Sequence, residues 1–196
     1  MNMPATVHAA DRGRVDLAWW GMMMFLLNEA TLFASLIASY FYLAATNASW
    51  PPAGVAKPEL RLPLIMTGLL LASSGVLVYA DRGLRAGDAR RYRIGLVATI
   101  VLGALFLVLQ TREYDVKLRV LTPSQSSYGS MFYTITGLHG AHVCFGLLFL
   151  AWAIARAKHG RADASAGLRN ASLYWHFVDG VWLVVLTSLY LTPRWL

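Results

Sequence analysis

Five apolar stretches constrain this chain more than any motif in it: Leu17–Ala45, Leu62–Ala80, Ile94–Thr111, Ser130–Ala155 and Leu173–Leu191. Crossing roughly 30 Å of hydrocarbon takes a helix of about 20 apolar residues, and a backbone in lipid must satisfy its own N–H and C=O groups. Membrane-spanning strands would alternate polar and apolar side chains over about ten positions, and none of these stretches does so. The expectation is an all-α integral membrane protein, a bundle of five transmembrane helices. Composition agrees, with 57% hydrophobic and only 14% charged residues. A tail over residues 1–16 precedes a single transmembrane domain over 17–196, and no soluble domain fits between the spans.

The connections are short and collect turn formers: Trp50-Pro51-Pro52-Ala53-Gly54, Arg82-Gly83, Thr122-Pro123-Ser124 and Lys158-His159-Gly160. Of the 17 Lys and Arg residues, two lie in the tail, five in the second connection and four around the fourth, against six on the opposite face. Basic residues are retained inside the cell, so the N-terminus is expected to be cytoplasmic and the C-terminus outside. The net charge of +7 then reads as topology and contact with anionic headgroups rather than as nucleic-acid binding. The apolar run after Asp11, Arg12, Arg14 and Asp16 is too long for the core of a cleavable signal and is expected to remain as the first helix. Cys144 is the only cysteine, so no internal disulfide forms.

Ionisable groups at membrane depth must face protein or water, which makes them candidate functional residues. Glu29 lies close to the bilayer middle and needs either a proton of its own or a donor. His139 and His142 stand three apart on one face of the fourth helix and are its natural partners. The run Tyr174-Trp175-His176-Phe177-Val178-Asp179-Gly180-Val181-Trp182 places His176 and Asp179 three apart, where a shallower network with Tyr174 can close. These six residues, Glu29, His139, His142, Tyr174, His176 and Asp179, are expected to form a buried polar cluster. Such a cluster either holds helices together or passes protons. No series of polar groups connects Glu29 to either face.

A closed zinc site takes four ligands, usually Cys and His, and the spans do not supply them. Haem takes one or two axial ligands, so composition leaves it open, but His139 and His142 beside Gly137 and Gly140 read better as close helix packing. Small faces at Gly68, Ala72 and Gly75, at Gly95, Thr99 and Gly103, and at Gly137 and Ala141 predict packing seams. Trp19, Trp20, Trp50, Tyr92, Tyr114, Tyr128, Tyr190 and Trp195 fall near span ends, as interface anchors do. Arg156, at the inner end of the fourth span, is placed to snorkel to water or to hold a lipid phosphate.

Taken together, the motifs resemble subunit III of the haem–copper respiratory oxidases, in particular of cytochrome c oxidase. The resemblance runs from Gly21-Met22 to Glu29, through Trp50-Pro51-Pro52, Leu70-Leu71-Ala72-Ser73, and Gln110 with Glu113-Tyr114, to Tyr128-Gly129-Ser130. It continues in Thr136-Gly137-Leu138-His139-Gly140-Ala141-His142-Val143 and ends in Tyr174-Trp175-His176-Phe177-Val178-Asp179 with Val181-Trp182. It implies a subunit with no redox centre of its own, docked directly against subunit I beside subunit II and other oxidase subunits. Haem and copper then lie in the partner subunits, and this chain binds phospholipid structurally. The resemblance further implies that Glu29 is the family's carbodiimide-reactive carboxyl, that Arg156 meets a lipid headgroup, and that the subunit supports proton uptake and protects subunit I during turnover. Longer members carry two further N-terminal helices that this sequence lacks, so it resembles the five-helix bacterial form, multi-pass in the plasma membrane. A quinol oxidase subunit III and a nitric-oxide-reductase-associated homologue resemble it as well. From another class, a self-contained proton or solute transporter built around Glu29 is the alternative, although such folds carry internal repeats and broken helices that are not found here.

Overall fold

The structure, a computed structural model, describes residues 5–52, 54–55, 57–156 and 161–194, with side chains placed from residue 17 onward except at 161–164 and 166. Its secondary structure among the described residues is entirely helical: α1 Ala5–Thr46, α2 Arg61–Ala86, α3 Ala89–Lys117, α4 Ser127–Arg156 and α5 Arg161–Val185. Among the described residues five helices are long and apolar enough to cross a membrane. After α5 the helix widens into a π-helical turn over Leu186–Leu191 and closes with a short 3-10 turn at Thr192–Arg194. The widening precedes Pro193, which has no N–H to continue the ladder and whose ring crowds the carbonyl four residues back.

The helices run past the apolar stretches, which moves one turn. Arg82-Gly83 lies inside α2, and the reversal into α3 sits at Gly87-Asp88. Gly87 adopts φ 81°, a left-handed conformation that glycine takes without a Cβ clash, and Asp88 N–H donates back to Gly83 O at 2.9 Å. The Asp88 carboxylate then caps α3 by accepting from Arg91 N–H at 2.9 Å. Lys158-His159-Gly160 lies outside the described residues, as do Ala53 of the first connection and the side chains of Asp11, Arg12, Arg14 and Asp16.

Helix α5 occupies the middle. It packs on α4, α2 and α1, while α2 and α3 form the tightest hairpin and α3 closes on α4. The reason is a heptad-like run of large side chains, Trp175, Val178, Trp182, Val185 and Leu189, all buried. Trp175 is the centre of this run. Its ring enters a slot that exists only because α3 and α4 carry glycines there: a Cβ on Gly103 would lie 2.5 Å from Trp175 Cη2, and one on Gly146 would lie 2.8 Å from Cε3. Its indole N–H donates to Ser73 Oγ of α2 at 2.9 Å, so one side chain joins three neighbours. Two turns later Trp182 donates to Thr67 Oγ1 at 2.9 Å and meets Phe106 edge-on. Without a hydrophobic drive between helices in lipid, such packing and hydrogen bonding hold the bundle together.

The predicted seams are redistributed. Gly95, Thr99 and Gly103 are buried in the α2–α3–α5 contact, with Gly95 against Ala80. Gly68, Ala72 and Gly75 instead lie exposed on the outside of α2. On α4 the seam runs through Gly129, Gly140 and Gly146, while Gly137 is half-buried and Ala141 exposed. Several expected interface anchors are core residues as well. Trp50, Tyr92, Tyr128 and Tyr190 are buried, and Tyr40, Trp50 and Tyr128 form an edge-on cluster that ties the first connection to α1 and α4. Trp195 lies outside the described residues.

Trp175→Ala is expected to lower the stability of the detergent-solubilised chain by about 3 kcal/mol, because it empties the slot and frees Ser73. Leu148→Ala, at a side chain 66% exposed, is expected to stay within about 0.5 kcal/mol. Denaturant unfolding followed by circular dichroism measures both.

Candidate functional site

Glu29 of α1 meets His142 of α4 across the bundle: Glu29 Oε2 lies 2.9 Å from His142 Nε2, with 14% and 11% of the two side chains exposed. The other ring nitrogen, Nδ1, is 2.8 Å from Leu138 O. A carbonyl oxygen only accepts, so Nδ1 carries a proton and donates it to Leu138 O. That leaves one further proton to hold the carboxyl and Nε2 together. The pair is therefore neutral overall, as an acid facing an imidazole or as a carboxylate facing an imidazolium. This arrangement meets the requirement that charge at membrane depth be compensated. His142 is the middle of α4, about 20 Å from either end at 1.5 Å per residue. Phe33 packs edge-on against its ring, and Tyr174 lies parallel to it while donating to His142 O at 3.2 Å.

The six predicted residues do not form one cluster. Glu29, His142 and Tyr174 come together. His139 does not join them: it is fully buried against Phe106 and Trp182, and neither ring nitrogen has a hydrogen-bond partner among the described residues. Two residues three apart share a helix face, but the face is wide, and here one imidazole turns toward α1 while the other turns toward α3 and α5. His176 and Asp179 do not reach Tyr174 either. Both bond to Ser74 of α2: Ser74 Oγ is 2.8 Å from His176 Nδ1 and donates to Asp179 Oδ2. Asp179 is buried, with Oδ1 unpartnered among the described residues, whereas His176 is exposed, contrary to the expected burial.

Two further polar sites lie outside that prediction. Glu113 of α3 is buried, pairs with Lys117 Nζ at 2.7 Å and accepts from Tyr190 Oη at 3.0 Å. The Lys117 ammonium also sits over the Phe132 and Tyr190 rings, at 4.1 and 4.5 Å from their centroids. Its signal was legible as a Glu and a Lys four apart on a helix. Gln110 Nε2 donates to Thr136 O at 2.7 Å, and Tyr114 Oη lies 2.6 Å from Thr136 Oγ1, in space that Gly140 leaves open. Among the described residues no group of three or more His, Cys, Asp or Glu is placed to hold a metal ion. An apolar groove of about 350 Å³ runs between Ala30, Ala34 and Ile37 of α1 and Phe177, Gly180 and Val184 of α5.

The sequence profile of cytochrome c oxidase subunit III matches residues 6–194. The chain belongs to this family. It is 35% identical over 185 residues to cytochrome c oxidase subunit 3 of Thermostichus vulcanus, covering 91% of this chain and 89% of the relative. The subunit 3 of a Synechocystis strain is 34% identical over 191 residues, covering 96% and 81%. That of Sus scrofa is 36% identical over 179 residues, covering 87% and 68%. Family membership makes this chain subunit III of a haem–copper oxidase, and Glu29, His142, Tyr174 and His176 all lie within the matched region. Arg156 closes α4 as a half-buried residue with its guanidinium 5.4 Å from the Trp152 ring centroid.

Glu29→Gln is expected to keep the cross-bundle bond, since a side-chain amide donates to Nε2 as a carboxylic acid does. Glu29→Ala strands the imidazole and is expected to cost about 1 kcal/mol more than Gln. Unfolding of the purified variants in mixed detergent tests the order, and equal losses would refute it.

Proposed function

We propose that this chain is the non-catalytic subunit III of a proton-pumping aerobic terminal oxidase, a cytochrome c oxidase, in the plasma membrane of a bacterium. It packs directly against subunit I, alongside subunit II and other subunits, and the haem and copper that reduce dioxygen belong to those partners. The Glu29–His142 pair carries the reading: a carboxyl and an imidazole share one proton at mid-bundle, which suits a group that supports proton uptake without carrying electrons. The relatives it matches bear the cytochrome c oxidase name, which favours that donor over quinol and leaves the transporter alternative without support.

In this reading the tail over residues 1–16 is cytoplasmic, residues 17–196 form the membrane domain, and the C-terminus lies outside, in keeping with the excess of Lys and Arg on one set of connections. Phospholipid binds structurally. The groove between α1 and α5 is apolar and suits an acyl chain, and Arg156 at the basic end of α4 suits a headgroup phosphate. Glu29, His139, His142, Tyr174, His176 and Asp179 then serve as polar groups that join helices, with Glu29 and His142 nearest to a proton-related role.

The tagged chain, gently extracted, is expected to bring down a haem-bearing polypeptide with oxidase absorbance. Oxidase stripped of this chain is expected to start at its usual rate of oxygen consumption and to lose activity sooner under continuous turnover. A chain that elutes without haem, or an oxidase whose decline is unchanged by its removal, would refute the assignment.

A further inference from the structure

His176, Ser74 and Asp179 form a row of hydrogen bonds that runs from the outside of the bundle to its interior. His176 is exposed, Ser74 half-buried and Asp179 buried. The imidazole stands three residues inside the apolar stretch Leu173–Leu191, about 4.5 Å from its start at 1.5 Å per residue, within reach of the water of the headgroup zone. Its Nδ1 lies 2.8 Å from Ser74 Oγ, and the Ser74 hydroxyl donates to Asp179 Oδ2. That hydroxyl has one proton, so Nδ1 is the donor of the first bond when the carboxyl is ionised. Nε2 is then an unprotonated nitrogen, and it makes no hydrogen bond among the described residues. At the inner end Asp179 Oδ1 is buried without a hydrogen-bond partner among the described residues.

Such a row has two forms that differ in the direction of every bond. In the first, Nδ1–H donates to Ser74, and Ser74 donates to the Asp179 carboxylate. A proton taken up by Nε2 from interfacial water turns the ring into an imidazolium. Nδ1 then passes its proton to Ser74 Oγ as the Ser74 proton moves to Asp179 Oδ2. In the second form the carboxylic acid donates to Ser74, Ser74 donates to Nδ1, and the ring is neutral with its proton on Nε2. One proton has moved from water to the carboxyl without displacing a heavy atom, and the reverse sequence lets it go. Hydrogen-bonded histidine and carboxyl groups relay protons in membranes in this manner. Among the described residues no charged side chain acts on Asp179. Glu29 of α1 and His142 of α4 are paired with each other, His139 of α4 is sealed against Phe106 and Trp182, and on α2 Asp81 and Arg85 pair at 2.8 Å, with Asp81 about two turns beyond Ser74. We infer that Ser74, His176 and Asp179 are a proton-exchange site, in which an imidazole at the membrane surface loads and unloads a buried carboxyl through a serine hydroxyl. The exchange itself follows from these side chains; that it opens on the cytoplasmic face, where a proton-pumping partner draws its protons, rests on the function proposed above.

The full chain in lipid nanodiscs, subjected to a pH jump and followed by infrared difference spectroscopy of its carboxyl bands, tests the site. A protonated-carboxyl band is expected to rise after a jump to acid pH and to be missing from Asp179→Asn. Ser74→Ala and His176→Ala are expected to reach the same band at equilibrium but to slow its rise roughly a hundredfold. Ser74→Thr, which keeps a hydroxyl, is expected to load at the usual rate, and free imidazole in solution is expected to restore the rate of His176→Ala. Circular dichroism checks the fold of each variant; if Asp179→Asn does not fold, the rates of the other three decide. Unchanged rates in Ser74→Ala and His176→Ala, slowing that neither threonine nor imidazole rescues, or a band that persists in folded Asp179→Asn overturns the site. Because the signal comes from this chain's own carboxyl, absence of haem from the purified protein overturns the oxidase reading and leaves the exchange site standing, and an inert Asp179 does the reverse.

Discussion

The Trp175 indole in its slot between Gly103 and Gly146 is the contact on which the bundle depends. In lipid, helices gain nothing by hiding apolar surface from one another, because acyl chains are equally apolar. What remains is close packing and the few hydrogen bonds that cross between helices. Trp175 supplies both at once: its ring fills space that two missing Cβ atoms provide, and its N–H reaches Ser73. Trp182 donates to Thr67 in the same way two turns further along. Since both project from α5, that helix becomes the axis around which α1, α2, α3 and α4 are arranged.

The same economy governs the polar side chains. Among the described residues three imidazoles lie within the apolar spans, and each has a different setting. His142 is held by Leu138 O on one side and Glu29 on the other, so both nitrogens are used. His139 is sealed among aromatic rings, where it acts as a flat ring in the core. His176 is fixed by Ser74 and faces outward. Two of the three are thus spent inside the bundle, and the third is held at its surface.

How much of this was legible beforehand varied with the range of the interaction. Span number and helical character follow from the length of apolar runs, a local property. The pairing of Glu29 with the fourth helix was accessible because a carboxyl at mid-depth needs a donor and few are on offer. Which histidine it takes was not, since His139 and His142 differ by less than one turn and only the rotation of α4 against α1 separates them. Ser74 carried no signal at all: a serine in an apolar helix ordinarily bonds its own backbone, as Thr67 does to Pro63 O. The small-residue faces misled for a related reason. Gly68, Ala72 and Gly75 have the spacing of a seam, yet spacing does not say whether the seam closes within the chain or against another.

By itself, then, the sequence determined an all-helical membrane protein with five spans, and its motifs carried the oxidase subunit III likeness that the family profile and relatives bear out. Hydrophobic length and motif identity are read residue by residue and need no partner. Only the tertiary structure decided that α5 is central, that the polar residues divide between a Glu29–His142 pair and a Ser74–His176–Asp179 group, and that one face of α2 is left open. Those outcomes depend on how each helix is rotated about its axis, and that rotation is set by which glycines admit which tryptophans across the bundle.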